Sequence, residues 1–338
     1  MSRRASVAYT DNMSEAHINL AAVRRNAKKI TKTAPLIAVV KADAYGHGAV
    51  AVCGALSDTA SAFAVATVAE AAELIAAGIK LPVLVLGKSH CVLPAPNVVY
   101  SVSSFAEIDR LCRLSAPGLA VKVNTGMNRY GCAPSDAAKL AAYARERGVL
   151  HSVYSHLRAP EDRTLSEKQL AVFSAATKGI RAPRHLIASG GIAIGRDYLF
   201  DYARCGIALY GGIEGFEQAM TVTAPIAELR DVPPGEGCGY GSAVFGDGAR
   251  VAVIEIGYAD GFRRLTGPRF VAIGGIECPV VAVCMDVSFA VVPPCVTADD
   301  TVEITGRNMP IGRLARSYGT IPYEVMTSFG ARVTRKYG

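Results

Sequence analysis

The sequence predicts an α/β protein, with a (β/α)8 TIM barrel on the N-terminal side and a mostly-β domain on the C-terminal side. Eight short apolar runs alternate with helical patterns between about residues 18 and 212. Most of these runs are apolar throughout, as is typical of parallel strands buried on both faces. After Gly212 the runs are separated by the turn signals P-P-G-E-G, G-D-G and P-P, which indicate an all-β module. We therefore place the barrel at residues 15–215 and the β-rich domain at residues 216–338, with residues 1–14 as a candidate addition to the second.

The predicted elements follow one another at regular intervals along the barrel. Residues 68–78 are good helix formers that end on Gly78 as a C-cap. Another helix begins after Ser104, which is followed three residues later by Glu107, the pattern of a capped N-terminus. The barrel strands are predicted at residues 36–41, 62–67, 82–87, 98–103, 119–124, 150–156, 185–189 and 202–210. The β-rich domain has strands at 251–256, 269–273, 279–283 and 289–292, and a helical tail at 311–319 and 322–327.

The composition is that of a well-packed globular protein, since 51% of the 338 residues are hydrophobic and 19% are charged. The longest apolar runs have the length of a strand and fall well short of the roughly 20 residues that span a bilayer. The basic N-terminus has no apolar stretch after it, so no secretory signal is predicted. The formal net charge of +7 comes from scattered basic residues. This pattern argues against nucleic-acid binding and suits an anionic small ligand.

The cysteines and histidines argue against disulfides and against a metal site. The nine cysteines are odd in number and irregular in spacing, and no C-x-x-C occurs. We expect reduced thiols and a cytoplasmic protein. His151 and His156 are five residues apart on a predicted strand, so their side chains point to opposite faces. No catalytic metal is predicted.

In a barrel of this kind, chemistry is expected at the C-terminal ends of the strands. The turns S-G-G after strand seven and C-G-I after strand eight can bind phosphate through backbone N–H groups. Lys41 ends strand one and faces them across the mouth. A lysine opposite a phosphate site suggests pyridoxal 5'-phosphate, because its amine can bind the aldehyde of that cofactor. Taken singly, Lys41, His156 and Arg204 also suit structural roles. The residues at the strand ends are Lys41, Tyr45, Arg129, His156, Ser189, Arg204, Gly206 and Ile207.

The segment V-V-K-A-D-A-Y-G-H-G (39–48) resembles the cofactor-lysine motif of the alanine racemases, enzymes with a pyridoxal-phosphate-binding barrel and a β domain. The resemblance runs in register through almost the whole chain. Its other motifs are V-K-V-N-T-G-M-N-R-Y-G (121–131), Y-S-H (154–156), R-C-G-I-A-L-Y-G (204–211), I-G-Y-A-D-G (256–261), C-M-D (284–286) and I-P-Y-E-V (321–325). The resemblance implies that the protein interconverts L-alanine and D-alanine. This activity could supply D-alanine as a peptidoglycan precursor or serve in the breakdown of alanine.

The resemblance also implies roles for individual residues. Lys41 holds the cofactor covalently and is the base on one face of the substrate Cα, and Tyr258 of a partner subunit is the base on the other. Arg204 donates to the pyridine nitrogen, and His156 links Arg204 to Tyr258. The cofactor phosphate is bound by Tyr45, Ser189, Gly206, Ile207 and Tyr323. Arg129 contacts the phenolic oxygen, and the backbone N–H of Met285, again from the partner, binds the substrate carboxylate. Together these roles require a homodimer with shared sites.

Elementary chemistry agrees with these roles. Racemisation removes a proton from one face of Cα and returns one to the other, so two bases must flank that atom. A tyrosine, with a reference pKa near 10, needs a cationic neighbour such as the Arg204–His156 pair to act as a base. Arginine stays charged and so leaves the pyridine nitrogen unprotonated. Lys122 matches a lysine that is carbamylated in some relatives, and an ordinary ion pair is an equally good reading of it.

Several departures bear on the substrate. Ala188 precedes Ser189 where relatives commonly have asparagine, and Arg158 and Asp162 follow His156 where relatives have an aromatic and small residues. A racemase of serine, lysine or several amino acids therefore remains an alternative. A fold-related decarboxylase would place an acid rather than Arg204 at the pyridine nitrogen. A non-enzymatic carrier of the cofactor would need neither Tyr258 nor the β-rich domain.

Overall fold

The computed structural model describes residues 14–338 except residues 193, 242, 243 and 265. The chain forms two compact units. Residues 20–219 make up the barrel unit, and residues 14–19 and 220–338 belong to the β unit. Residues 1–14 were predicted as a candidate addition to the β-rich domain. Of these, residues 1–13, which include the basic N-terminus, lie outside the described residues. Ser14 is described, and its carbonyl accepts a hydrogen bond from the Thr334 N–H at 3.0 Å.

The secondary structure alternates regularly through the barrel unit. Strand β1 (Glu15–Ile18) precedes this unit and belongs to the β unit. The barrel strands are β2 (Leu36–Val39), β3 (Ala62–Val65), β4 (Val83–Val85), β5 (Val98–Val102), β6 (Gly118–Lys122), β7 (Leu150–Tyr154), β8 (Arg184–His185) and β9 (Ala203–Cys205). The helices are α1 (Leu20–Thr31), α2 (Lys41–Gly46), α3 (Ala49–Leu56), α4 (Val68–Ala76), α5 (Phe105–Arg113), α6 (Ala137–Glu146) and α7 (Arg163–Ala176).

The eight strands of the barrel unit are parallel, in the order β8-β7-β6-β5-β4-β3-β2-β9. The Arg204 N–H donates to the Ile187 carbonyl at 3.0 Å, which brings β9 beside the segment that follows β8 and nearly closes the ring. Strands β2 to β6 are buried along their whole length. Burial on both faces explains why their sequences are apolar throughout rather than alternating. The predicted TIM barrel is thus confirmed, with strands shorter than the apolar runs that predicted them.

Helix α5 begins at the cap that the sequence indicated, and α4 begins at a capping box that the sequence analysis did not identify. Ser104 accepts a hydrogen bond from the Glu107 N–H at 3.2 Å and caps α5. At α4, the Thr67 hydroxyl accepts from the Glu70 N–H at 3.2 Å, and the Glu70 carboxylate accepts from the Thr67 N–H at 3.1 Å. This reciprocal capping box fixes the start of the helix beside the end of β3.

The β unit is an antiparallel barrel with two added strands. Its strands β10 to β15 are joined in the ring β10-β11-β14-β13-β12-β15, which closes back on β10. Strand β1 pairs antiparallel with β10 and parallel with β16, so residues 15–18, predicted within the barrel range, form a strand of the β unit. The bounds are β10 (Met220–Val232), β11 (Ala249–Ile254), β12 (Phe270–Ile273), β13 (Ile276–Val283), β14 (Ser288–Val291), β15 (Thr301–Thr305), α8 (Ile311–Ser317), α9 (Pro322–Ser328) and β16 (Thr334–Tyr337).

None of the helices within the described residues is long and apolar enough to cross a membrane. Across the same residues, no three His, Cys, Asp or Glu side chains are grouped so that they could hold a metal ion. The nine cysteines are all unpaired thiols.

Candidate active site

Lys41 lies at the start of an unusual backbone turn. Strand β2 ends at Val39, and the four residues Ala42 to Tyr45 then have φ between 51° and 56°. This is one turn of left-handed helix made by residues that have a Cβ. The conformation costs roughly 1–2 kcal/mol for each such residue, so the turn stores about 4–8 kcal/mol. Contacts with the surrounding structure must offset that cost, and strain of this kind is concentrated at functional sites.

Two carboxylates anchor the left-handed turn. The Ala42 N–H donates to Glu70 Oε1 at 2.7 Å. The Ala49 N–H, at the start of α3, donates to Asp43 Oδ1 at 2.7 Å. These bonds hold the turn to the starts of the two neighbouring helices, so the direction in which the chain leaves β2 is fixed. Lys41 is thereby presented at the C-terminal end of a barrel strand, as the sequence predicts.

The end of the same turn meets the segments that follow β8 and β9. The Ser189 hydroxyl accepts hydrogen bonds from the N–H groups of Gly206 at 3.0 Å and Ala208 at 3.2 Å. A Cβ on Gly206 would lie 2.4 Å from the Tyr45 hydroxyl oxygen, so only glycine lets the tyrosine reach this position. Two hydroxyl groups and two backbone N–H groups therefore converge at one point. This set fits the phosphate of the predicted cofactor, and Ile207 lies between the two N–H donors in the chain.

Arg204 is the centre of a buried hydrogen-bond network and is only 3% exposed. Its guanidinium donates to His185 Nδ1 at 2.6 Å, to the Ser155 carbonyl at 2.8 Å and to His156 Nδ1 at 2.9 Å. It also lies 5.0 Å from the centre of the Tyr154 ring. Within the described part of the chain no carboxylate forms an ion pair with it. The network holds a fixed positive charge through neutral partners.

The two histidines beside Arg204 are held in one tautomer. Arginine only donates, so Nδ1 of His156 and of His185 accepts and carries no proton. Burial, followed by the charge of Arg204, lowers the pKa of both histidines well below the usual value. Both are therefore neutral near pH 7 and protonated at Nε2. His156 thus presents an N–H donor on the side away from Arg204.

His185 and Tyr154 are not among the predicted site residues, although the network depends on them. The His185 ring stacks on Tyr154, with centroids 4.9 Å apart and planes 5° from parallel. The Tyr154 hydroxyl is 2.7 Å from the Ser101 hydroxyl. One signal in the sequence could have found His185. It begins the run H-L-I-A-S of predicted strand seven, which must lie beside the strand that carries Arg204.

Lys122 is a second lysine in this cluster and is 7% exposed. Its amine lies 5.2 Å from the centre of the Tyr130 ring and 5.5 Å from that of Tyr154. Burial and the nearby charges of Arg129 and Arg204 lower the pKa of Lys122 to about 8. An appreciable fraction of this amine is therefore neutral at physiological pH.

Arg129 is carried by a loop that closes tightly on itself. The Asn124 side chain accepts from the N–H groups of Gly126 at 3.1 Å and Asn128 at 3.0 Å. Gly131 has φ of 127°, and a Cβ there would lie 2.5 Å from the Asn124 nitrogen. The motif V-N-T-G-M-N-R-Y-G thus contains the residues that shape the loop as well as the arginine that it presents.

The Lys41 amine is surrounded by positive charge. Burial lowers its pKa first, then the charge of Arg129, while Glu70 raises it and Arg204 lowers it further. Lys41, Arg129, Arg204 and Lys122 therefore form one cationic cluster at the mouth of the barrel. Such a cluster suits an anionic ligand and makes the neutral, nucleophilic form of a lysine more accessible.

The remaining predicted residues, Tyr258, Met285 and Tyr323, lie in the β unit and are 40%, 52% and 39% exposed. The Tyr258 N–H donates to the Cys284 carbonyl at 3.0 Å, and the Ala259 N–H donates to that of Met285 at 3.0 Å. The two motifs I-G-Y-A-D-G and C-M-D are therefore adjacent and present one exposed tyrosine and one exposed methionine.

A second tyrosine, Tyr240, lies close to the same segment and is missing from the prediction. It is 76% exposed and lies between Gly239 and Gly241, which both have positive φ. A Cβ on Gly239 would lie 2.8 Å from the Cβ of Ala282, two residues before Cys284. The hydroxyl group of Tyr240 is therefore a second exposed phenol near the segment that carries Cys284. The signal in the sequence was the glycine-flanked G-Y-G that follows β10.

Known proteins resemble this chain over nearly its full length. Two family models match, the N-terminal domain of alanine racemase at residues 18–214 and its C-terminal domain at residues 219–337. An alanine racemase of Jannaschia sp. (strain CCS1) is 34% identical and covers 94% of this chain and 97% of its own. A biosynthetic alanine racemase of Salmonella typhimurium is 34% identical, with 95% and 98% covered. The crystal structure of alanine racemase from Bartonella henselae with covalently bound pyridoxal phosphate superimposes with a TM-score of 0.86 at 27% identity, over 97% of this chain and 100% of that one.

Proposed function

The chain belongs to the alanine racemase family, and on that premise we propose that Lys41 and a tyrosine of the β unit are the two bases of its reaction. The family gives the activity, which is the interconversion of L-alanine and D-alanine, an isomerisation. The observation that carries the proposal for Lys41 is its place in the cationic cluster, beside the hydroxyl and N–H groups that fit a phosphate. Racemisation of L-alanine by the purified protein, followed by chiral chromatography, tests the activity. If no D-alanine is formed, the proposed activity is wrong.

We propose pyridoxal 5'-phosphate as the cofactor. Tyr45, Ser189 and the backbone N–H groups of Gly206 and Ile207 would hold its phosphate, with Tyr323 as a further phosphate ligand. Lys41 would hold its aldehyde carbon, and Arg129 would contact its phenolic oxygen. When bound, this cofactor supplies an electron sink that acidifies the α-proton of an amino acid.

Lys41 is suited to remove that proton. A base must be neutral before it acts, and the lowered pKa of Lys41 increases its neutral fraction near pH 7. The same cluster would attract the substrate carboxylate. We propose that the backbone N–H of Met285 from a partner subunit also binds that carboxylate. Arg204 would donate to the pyridine nitrogen, since its guanidinium stays charged while its histidine partners stay neutral.

Two tyrosines of the β unit compete for the role of the second base. Tyr258 is the residue that the motifs suggest, and that assignment stays a prediction. Tyr240 is almost twice as exposed and lies between two glycines, so it is the alternative with which Tyr258 is compared by experiment. On either choice His156 Nε2–H is a suitable donor to the phenolate, because it is neutral and oriented by Arg204. We propose that the tyrosine comes from a partner subunit, which makes the enzyme a homodimer with shared sites. The unpaired thiols suit a cytoplasmic location.

We expect Arg204→Lys to lower kcat/KM for alanine by about 10²-fold. A lysine cannot bond to His185, Ser155 and His156 at once, and burial would favour its uncharged form. The measurement is racemisation of L-alanine, with thermal unfolding recorded in parallel. Arg250→Lys is the matched control, because Arg250 is a partly exposed arginine of the β unit that donates a hydrogen bond to the Pro294 carbonyl. Full activity of Arg204→Lys would show that the three hydrogen bonds of the Arg204 guanidinium are not needed for activity.

We propose that Lys122 is carbamylated. Its pKa of about 8 leaves neutral amine to attack CO₂, which forms an N–C bond and releases one proton, so that the neutral amine becomes an anionic carbamate near Arg129. We expect a ¹³C carbamate resonance when the protein is equilibrated with ¹³C-bicarbonate near pH 8, and none in Lys122→Arg. That variant should also lose roughly tenfold in kcat/KM because Arg129 loses its partner. A carbamate resonance that persists in Lys122→Arg would place the carbamate on another residue. Absence of the resonance from the wild-type protein would exclude carbamylation.

The breadth of the substrate range is a separate question, since the residues above bind the cofactor and the α-carbon rather than the side chain. We expect alanine to be racemised at least about tenfold faster than serine or lysine, measured as kcat/KM on a panel of L-amino acids. If serine or lysine is racemised faster than alanine, the protein is a racemase of broader substrate range. The unusual residues after His156 are consistent with that alternative.

A further inference from the structure

Glu70 has a hydrogen-bond pattern that joins two parts of the barrel. Its Oε2 accepts from the N–H groups of Ala66 at 2.7 Å and Thr67 at 3.1 Å, at the start of α4. Its Oε1 accepts from the N–H of Ala42 at 2.7 Å. Ala42 directly follows Lys41, 28 residues earlier in the chain. One side chain thus ties the end of β2 to the start of the helix after β3.

The capping box alone does not explain this pattern. A capping glutamate is needed at the N-terminus of its own helix, and Glu70 meets that need with Oε2. The neighbouring helix α5 gives an internal comparison. There Glu107 accepts from the Ser103 N–H at 2.7 Å with Oε2, and its Oε1 faces the exposed amine of Lys88 at 3.2 Å. The bond from Glu70 Oε1 to Ala42 is therefore additional to capping.

The place of this bond matters for Lys41. Ala42 is the first residue of the left-handed turn, whose strain favours relaxation of the backbone. The Lys41 amine itself has no hydrogen-bond or ion-pair partner in the described part of the chain. The path of its own backbone therefore has a large influence on the position of the amine. The Ala42–Glu70 bond is the side-chain anchor nearest to that backbone.

We propose that Glu70 is a positioning residue for Lys41, which holds the peptide after the lysine and so fixes the path of its side chain into the mouth of the barrel. The proposal rests on the proposed role of Lys41 as cofactor lysine and base. The charge of Glu70 has a second effect. It raises the pKa of Lys41 and so opposes the lowering by burial and by Arg129.

The test compares Glu70→Gln and Glu70→Ala with Thr67→Ala. The control removes the hydroxyl that accepts from the Glu70 N–H and weakens the cap of α4, while Glu70 keeps its bond to Ala42. Glu107→Gln is a second control at the equivalent position of α5. The first readout needs no activity. The full-length protein is freed of cofactor with hydroxylamine and treated with acetic anhydride over a range of pH, and the labelling of Lys41 is measured by mass spectrometry.

We expect the labelling midpoint of Lys41 to move to lower pH in Glu70→Gln and Glu70→Ala, because a neighbouring negative charge is lost. We expect no movement in the two controls. In the holoenzyme, kcat should fall about tenfold in both Glu70 variants, with KM changed by less than about twofold, since the base rather than the binding site is misplaced.

The proposal is overturned if Glu70→Ala has the same midpoint and the same kcat as Thr67→Ala, since Glu70 would then be a helix cap and nothing more. A shifted labelling midpoint with unchanged kcat would also overturn the proposal. Glu70 would then affect the pKa of Lys41 through its charge without positioning the lysine for catalysis. Failure of the proposed function looks different. It would appear as activity retained by Lys41→Ala, whatever the Glu70 variants do.

Discussion

Lys41→Ala should lower racemisation of alanine by about 10³-fold or more, the largest effect expected of any single substitution in the barrel unit. On the roles proposed above, the variant would remove both the covalent attachment of the cofactor and the base on one face of the substrate. The alanine side chain also suits the backbone at this position, because Lys41 precedes the left-handed residues rather than being one of them. The loss is therefore expected without a loss of folding, which thermal unfolding checks.

The attachment of the cofactor gives an independent measurement. Borohydride reduction of the wild-type protein should fix the mass of the cofactor on the peptide that contains Lys41, and on no other peptide. Lys80→Ala is a suitable control, because Lys80 is an exposed lysine of the same unit. It should keep both the activity and the labelled peptide. Label on Lys122 or on any other lysine in the wild-type protein would remove Lys41 from the mechanism.

The fold could be predicted because the barrel repeats one simple pattern. Each of β2 to β6 is buried along its length, so each appears in the sequence as an uninterrupted apolar run. The rule that barrel sites lie at the C-terminal ends of strands then selects Lys41 and Arg204 without knowledge of their contacts. Strand β1 was harder to assign. Its four residues lie before the barrel in sequence, and only pairing with β10, some 200 residues later, shows where they belong.

The parts of the site that escaped prediction depend on contacts between distant segments. The left-handed turn at Ala42 to Tyr45 contains no glycine, so local propensity gives no sign of it. It is held by Glu70, which the sequence shows only as a helix-capping residue. His185 similarly looks like one polar residue in an apolar run. Its role follows from the 2.6 Å bond to Arg204, which requires neighbouring strands to be in register.

The second large effect concerns the tyrosines of the β unit. We expect Tyr258→Phe to lower racemisation by about 10³-fold and to be the more damaging of the two tyrosine variants, because Tyr258 lies in the motif I-G-Y-A-D-G and the variant removes the hydroxyl group of the proposed second base. Each variant loses only a hydroxyl group, so each serves as the matched control for the other. If Tyr240→Phe is the more damaging, the base is Tyr240 and the assignment from the motifs is wrong.

Proton exchange in ²H₂O distinguishes a lost base from a lost binding contact. Inversion needs both bases, whereas exchange with retention needs only the one that removed the proton. The variant that lacks the tyrosine base should still exchange the α-proton of one enantiomer through Lys41, with little inversion. A variant that merely binds alanine poorly should lose exchange and inversion together. Nuclear magnetic resonance of the α-proton, combined with chiral chromatography, measures both.

Subunit exchange then tests whether the two bases belong to different chains. Lys41→Ala is mixed with whichever tyrosine variant is inactive. In a mixed dimer with shared sites, one site carries both lesions, and the other combines an intact Lys41 from one chain with an intact tyrosine from its partner. Random pairing makes about half of the dimers mixed, each with one good site of two, so activity should recover to roughly a quarter of the wild-type value. Mixing either variant with itself gives no such site and provides the baseline. If labelled subunits demonstrably exchange and activity still stays at that baseline, both bases lie on one chain, and a shared site is not how this enzyme works.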